Sequence, residues 1–237
     1  MAGFLINSRG TTIMIDPLLT DFDMPLLITF PIAATEVPRL DAVLATHSDN
    51  DHYSVPTNRD LAGVTGTYHS TRYVAALMQH EGLPATGHDI GGHFTVGTMS
   101  ITVTPADHAW QNSYPGMSDH FFEPHDACGF WIDTPDGTIW APGDSRLISD
   151  HHLCMPAPDA LLFDFSDSEW HFGLDNALAV ANAYPNSALI LHHWGCVDAP
   201  DLTPFNGDPR SLVGRVDNPA RIHILAPGEP FTLQRCA

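Results

Sequence analysis

The stretch "LATHSDNDHYS", residues 44–54, places His47, Asp49, Asp51 and His52 within six positions. An apolar-leaning run from Ala42 to Thr46 leads into it. Imidazole and carboxylate groups are the ligands that borderline and hard divalent metals take. The spacing is not that of an EF-hand loop. Counted from Asp49, the sixth position is Ser54 instead of Gly and the twelfth is Asp60 instead of Glu. Three later clusters repeat the arrangement: "TPADHAW" (104–110) with His108, "APGDSRL" (141–147) with Asp144, and "LILHHWG" (189–195) with His192 and His193. Each His or Asp falls just past an apolar run, so side chains from neighbouring strand ends can meet at one point. Successive strand residues face opposite ways, so one of His192 and His193 points there, and His193 is the expected one.

Other residues suggest the surroundings of such a site. His171, in "EWHFGLDNAL", precedes a helix and is placed to reach a pocket mouth as a hydrogen-bond donor. Arg146, two residues after Asp144, is the best candidate to hold an anionic substrate group; the competing reading is a salt bridge to one of many carboxylates. His120 and His125 lie in a long, aromatic, Gly/Pro-bearing loop that could cover the site and set specificity.

The elements that must position these residues alternate along the chain. Hairpins are expected over 4–7 with 11–16, 94–96 with 100–104, and 129–133 with 138–141. Further strands are expected over 41–46, 64–68, 160–165, 188–192 and 222–225. Helices are expected over 57–62, 70–80 with Ser70 or Thr71 as the N-cap, 175–183 and 209–216. Residues 18–39 read as loop. Hairpin-rich β segments interleaved with helices suggest two sheets packed face to face with helices outside.

Composition narrows the partners. The chain has 237 residues, 43% of them hydrophobic, enough for one substantial core. All nine cations are Arg, against 28 acidic residues, for a formal charge of −19. Such a field repels nucleic acid and anionic membrane surfaces and favours cations. No apolar run has the length of a membrane span and no signal peptide opens the chain. Cys128, Cys154, Cys196 and Cys236 lack metal-binding spacing and read as reduced thiols of a cytoplasmic protein. Oligomeric state is not legible.

The ordered motifs resemble those of the metallo-β-lactamase-fold hydrolase superfamily, in the branch similar to the ascorbate-6-phosphate lactonases. The signature there is H-x-H-x-D-H after a buried strand, then a distant His, a "GD" Asp and a late His followed by an aromatic residue and Gly. The opening "AGFLINSRGTTIMIDPLL" resembles the family's first hairpin and its "IDP" turn, with the first strand shortened at Met1. The resemblance implies one α/β domain over residues 1–237, a four-layer αββα sandwich of two mixed β-sheets with outer helices. It implies one metal held by His47, Asp49 and His108 and a second by Asp51, His52 and His193. Asp144 would bridge them, with a hydroxide between. Asp51, Asp144 and His171 would be the catalytic side chains. Asp49 replaces the imidazole of the family pattern. That harder ligand favours Mn²⁺ or Fe²⁺ over Zn²⁺, or else weakens the first site until one ion stays. The implied reaction is hydrolysis of a small ester, lactone or phosphoester. A di-iron or manganese redox enzyme, or a non-enzymatic metal-binding protein, are the alternatives.

Overall fold

The computed structural model describes residues 2–20 and 22–235. Strands β1 (Phe4–Ser8) and β2 (Thr11–Ile15) form an antiparallel hairpin. Strands β3 (Leu40–Leu44), β4 (Thr65–Thr71) and β5 (Ala85–His88) add to it in parallel, in the order β1-β2-β3-β4-β5. Helices α1 (Val55–Leu61) and α2 (Arg72–His80) make the crossovers. The second sheet holds β6 (His93–Val96), β7 (Met99–Pro105), β8 (Cys128–Thr134), β9 (Gly137–Ala141), β10 (Ala160–Asp164), β11 (Ala188–His192) and β12 (Ile222–His223), as β12-β11-β10-β9-β8-β7-β6. Helices α3 (Ser149–His152) and α4 (Leu174–Ala183) lie between its later strands in sequence.

Alternation along the strands builds the layers. Ile13, Ile15, Ala42 and Leu44 of the first sheet meet Ile101, Val103, Phe130, Ile132, Leu162 and Ile190 of the second in a buried inner core. The intervening residues face outward. Met14, Val43 and Tyr68 pack with Leu61, Val74 and Met78 of α1 and α2. Trp140, Leu161, Phe163 and Leu189 pack with Ala177, Leu178 and Ala181 of α4. Each large side chain buried this way contributes roughly 1.5–3 kcal/mol. The result is helix, sheet, sheet, helix, two mixed sheets inside.

Strand direction then fixes where loops emerge. β9, β10 and β11 run parallel, and β7 shares their direction through the antiparallel β8. Their carboxyl ends lie on one rim. The carboxyl end of β3 is tied to that rim by the Cys128 N–H, which donates to the Thr46 carbonyl at 2.9 Å. Gly143 sits in this seam at φ 71°, where an added Cβ would stand 2.5 Å from the Cys128 carbonyl oxygen. Only glycine fits that close approach, and Asp144 follows it directly.

Several boundaries differ from the sequence reading. Residues 209–216 form only a short 3₁₀ turn, Pro209–Leu212, and the last strand is two residues long. α2 starts at Arg72, because β4 continues pairing to Thr71, whose hydroxyl then accepts from the Val74 N–H. β5, "ATGH", carries almost no apolar signal because it is a half-exposed edge strand. Cys128, Cys154 and Cys196 are free thiols, and Cys236 lies outside the described residues. No helix among the described residues is long and apolar enough to cross a membrane.

Candidate metal centre

The loop after β3 is wound tightly. The N–H groups of His52 and Tyr53 both donate to the Asp49 carbonyl, at 2.9 and 2.7 Å. Ser54 then caps α1 by accepting from the Thr57 N–H, and Pro56 occupies the first turn. Behind this loop stands Asp16, at the end of β2 in a left-handed conformation (φ 45°). Its carboxylate accepts from the Thr46 N–H and hydroxyl, both at 2.7 Å, and holds His52 Nδ1 at 2.8 Å. The Thr46 hydroxyl also meets His47 Nδ1 at 2.9 Å.

The same pattern recurs at each later strand end. His108 Nδ1 donates to the Trp170 carbonyl and His193 Nδ1 to the Pro204 carbonyl, both at 2.9 Å. A backbone carbonyl can only accept, so these two rings carry their proton on Nδ1 when neutral. Their Nε2 lone pairs point inward. His171 Nδ1 is held by Asp164. All five imidazoles are thus anchored from behind and turn Nε2 towards a shared centre, the arrangement that orients metal-bound histidines.

Asp144 stands in the middle. Its carboxylate lies 3.1 Å from His52 Nε2, 3.4 Å from His193 Nε2 and 3.7 Å from His171 Nε2. His52 Nε2 is also 3.2 Å from His193 Nε2 and 3.3 Å from Asp51. On the other flank, Asp49 Oδ2 is 3.2 Å from His108 Nε2 and 3.5 Å from His47 Nε2. Among the described residues, three buried groups have ligand atoms within 4.8 Å of one another: His47 with His108 and Asp144; Asp51 with His52 and His193; and Asp144 with Asp164, His171 and His193. Asp49 borders the first group without belonging to it.

Charge is concentrated here out of reach of water. Burial alone would raise the Asp144 carboxyl, but His193, His52 and His171 outweigh it and hold it well below the usual carboxylate range. Against burial, His52 and His47 likewise hold down Asp51 and Asp49 respectively, and His171 holds down Asp164. Burial also opposes a charge on His52, yet Asp144, Asp51 and Asp16 keep its pKa well above the ordinary imidazole value. His171 is pushed up to about 9, because Asp164 and Asp144 overcome its burial. Burial takes His193 well below its usual value. His47 Nε2 and Asp144 Oδ1 are buried at the centre with no hydrogen-bond partner. Bare imidazole lone pairs and carboxylates facing one another need a cation, and this donor set fits one or two divalent metal ions.

The structure brings His47, Asp49, Asp51, His52, His108, Asp144 and His193 together as the sequence suggests, with His171 at the edge. His192 turns elsewhere: its ring stands edge-on to Phe4, 5.8 Å away, and burial lowers its pKa to about 4. The left-handed backbone at His193 (φ 58°) swings that ring into the cluster instead. Arg146 makes the salt bridge that was its competing reading: its guanidinium forms a bidentate pair with Asp107 at 2.9 and 3.0 Å and lies over the Trp170 ring, while the residue also lines the cavity beside the cluster. His120 pairs with Asp126 at 2.8 Å and stacks on Tyr73, and His125 is exposed; neither joins the cluster.

Four neighbours were not picked out by residue type. Asp16 lies inside the "IDP" turn, Asp164 interrupts the apolar run "LLFDF", and Trp110 and Gln111 follow His108 closely. The polar break in a buried strand was the available signal for Asp164. Trp110 and Gln111 carried none, because nothing local says that their donors reach Asp49. A cavity of about 550 Å³, lined by His171, Arg146, Ser168, Phe172 and Asn176, opens beside the cluster.

Two mixed sheets sandwiched between helices, with a buried His/Asp cluster at the strand ends, define an α/β fold of the metallo-β-lactamase type. Residues 11–194 match the family described as the beta-lactamase superfamily domain, and the chain belongs to that superfamily. A relative from Pelotomaculum thermopropionicum, named a UPF0173 metal-dependent hydrolase, is 28% identical over 243 residues, spanning 98% of this chain and 96% of the relative. The crystal structure of a possible metal-dependent hydrolase from Veillonella parvula superposes with a TM-score of 0.79 at 17% identity, over 98% of this chain and 96% of that one. That of an isothiocyanate hydrolase from Delia radicum gut bacteria gives 0.76 at 18% identity, over 99% and 97%.

Asp16 is the test of this anchoring. Asp16→Ala leaves the buried Thr46 N–H without an acceptor and frees the His52 ring. We expect a loss of about 2–4 kcal/mol in stability and roughly 10–100-fold weaker metal binding. Denaturant unfolding and equilibrium dialysis with Mn²⁺ measure both. Unchanged metal affinity would show that Asp16 does not orient His52.

Proposed function

We propose that this chain is a metal-dependent hydrolase whose centre takes two divalent ions and cleaves an ester-like bond in a small molecule. The observation that carries the reading is the convergence of five anchored imidazoles on Asp144, with His47 Nε2 and Asp144 Oδ1 buried and without a hydrogen bond. His47, His108 and Asp49 would hold one ion, Asp51, His52 and His193 the other, and Asp144 both. Bound there, the ions would supply an acidified water and polarise the attacked carbonyl or phosphoryl oxygen. The relatives named as metal-dependent hydrolases support the class of reaction.

The chain's own groups do the rest. Asp144 fixes the spacing of the two half-sites, because it reaches both groups of imidazoles. His171 forms part of the wall of the 550 Å³ cavity, and its Nε2 points at Asp144. With Nδ1 tied to Asp164, that Nε2 is placed to hydrogen-bond the departing oxygen of a substrate bound in the cavity. The carboxylate at Asp49 adds a hard ligand and a negative charge, which favours Mn²⁺ or Fe²⁺ over Zn²⁺. Reactivating the metal-free protein with each ion in turn checks that preference; best recovery with Zn²⁺ would contradict it.

Asp144→Asn keeps the side chain's shape and removes one charge and one strong ligand atom. Against a panel of small esters and lactones, the variant should turn over at least about a hundredfold more slowly than wild type. The fold should persist, since its core is apolar strand. Metal content and thermal unfolding are measured alongside. Near wild-type turnover in a metal-loaded Asp144→Asn protein would rule out the bridging role. Unfolding together with loss of all metal would make the centre structural.

A further inference from the structure

The carboxylate of Asp49 is gripped from outside the cluster. Trp110 Nε1 donates to Asp49 Oδ2 at 2.6 Å, and Gln111 Nε2 donates to Asp49 Oδ1 at 2.5 Å. Asp49 Oδ2 is the same oxygen that faces His108 Nε2 and His47 Nε2. Gln111 is buried, and both donors sit on one short turn, Trp110–Ser113, that begins two residues after His108. A single stretch, residues 108–111, therefore supplies one imidazole of the first half-site and fixes the carboxylate opposite it. A free aspartate side chain has two rotatable bonds and would turn towards solvent, on which it is partly open. Two N–H donors on its two oxygens remove that freedom, and each oxygen keeps a lone pair for a cation.

We propose that Trp110 and Gln111 are positioning residues that set the affinity of the first half-site through Asp49, so that the two half-sites respond separately to changes in this loop. The proposal rests on the two-ion reading above and adds to it which side chains control loading. The second half-site is anchored by Asp16 and the Pro204 carbonyl and shares no anchor with the 110–113 turn.

The test is a Mn²⁺ titration of metal-free protein, with free Mn²⁺ followed by electron paramagnetic resonance and stoichiometry by elemental analysis. Wild type should bind two ions per chain. Trp110→Phe and Gln111→Leu should each weaken one of the two steps about 10–100-fold and leave the other within about threefold. Asp49→His gives the readout that a merely structural role would not move. A metal-bound imidazole offers no acceptor to the Trp110 N–H, so in the Asp49→His background Trp110→Phe should change neither step by more than about threefold. Thermal unfolding of every variant is recorded. The two single substitutions are independent, so one that does not fold leaves the other to decide. Unaltered binding in both variants, equal weakening of both steps, or an undiminished effect of Trp110→Phe in the Asp49→His background would overturn the proposal. A wild-type chain that binds one ion or none would overturn the two-ion reading itself, and this proposal with it.

Discussion

The structure depends on keeping buried carboxylates and imidazoles face to face at one rim of a β-sandwich. Asp51, Asp144 and Asp164 are almost wholly buried, as are His47, His52, His108, His171 and His193. Isolated, any of these charges would be costly to take out of water. They are tolerated because each imidazole is held on its Nδ1 side by a fixed partner, which leaves Nε2 to face the carboxylates. Protons can balance part of this charge, since Asp144, Asp51 and Asp16 around His52 favour its protonated ring against burial. Divalent cations balance it better, because they also use the bare lone pairs of His108 and His193.

The fold supplies this constraint through its irregular residues more than through its strands. The strands bring the carboxyl ends of β2, β3, β7, β9, β10 and β11 to one rim, which any sandwich with this topology would do. The left-handed backbones at Asp16 and His193, and the positive φ of Gly143, then aim the side chains. Left-handed conformations at non-glycine residues cost of order 1–3 kcal/mol each. Both lie at the cluster, where the inner core on one side and the hydrogen bonds of Thr46 and Pro204 on the other over-determine them.

Most of the strands and longer helices were legible in the sequence, because apolar runs, turn residues and capping residues are local signals; the edge strand β5 and the short α3 were not. The His/Asp positions were legible for a related reason: packing alone seldom calls for imidazoles and carboxylates directly after an apolar strand. What holds those residues was much less so. Asp16 and His52 are 36 positions apart, and Trp110 and Asp49 are 61 apart. No local pattern encodes such pairings: the first arises when β2 and β3 pair side by side, the second when the two sheets close on each other. The partner of Arg146 is equally remote in sequence: Asp107 sits 39 residues before it, on a different loop of the second sheet. The choice between His192 and His193 turned on one backbone torsion that strand periodicity does not specify.

Anomalous diffraction from crystals of the protein grown with Mn²⁺ would test the central claim most directly. The account predicts two peaks. One should lie about 2.0–2.3 Å from ligand atoms of His47, Asp49 and His108, and the other at similar distances from Asp51, His52 and His193. Asp144 should contact both. A single peak held by Asp144, Asp164, His171 and His193, the third buried group able to take an ion, would contradict the dinuclear centre and the hydrolytic role built on it.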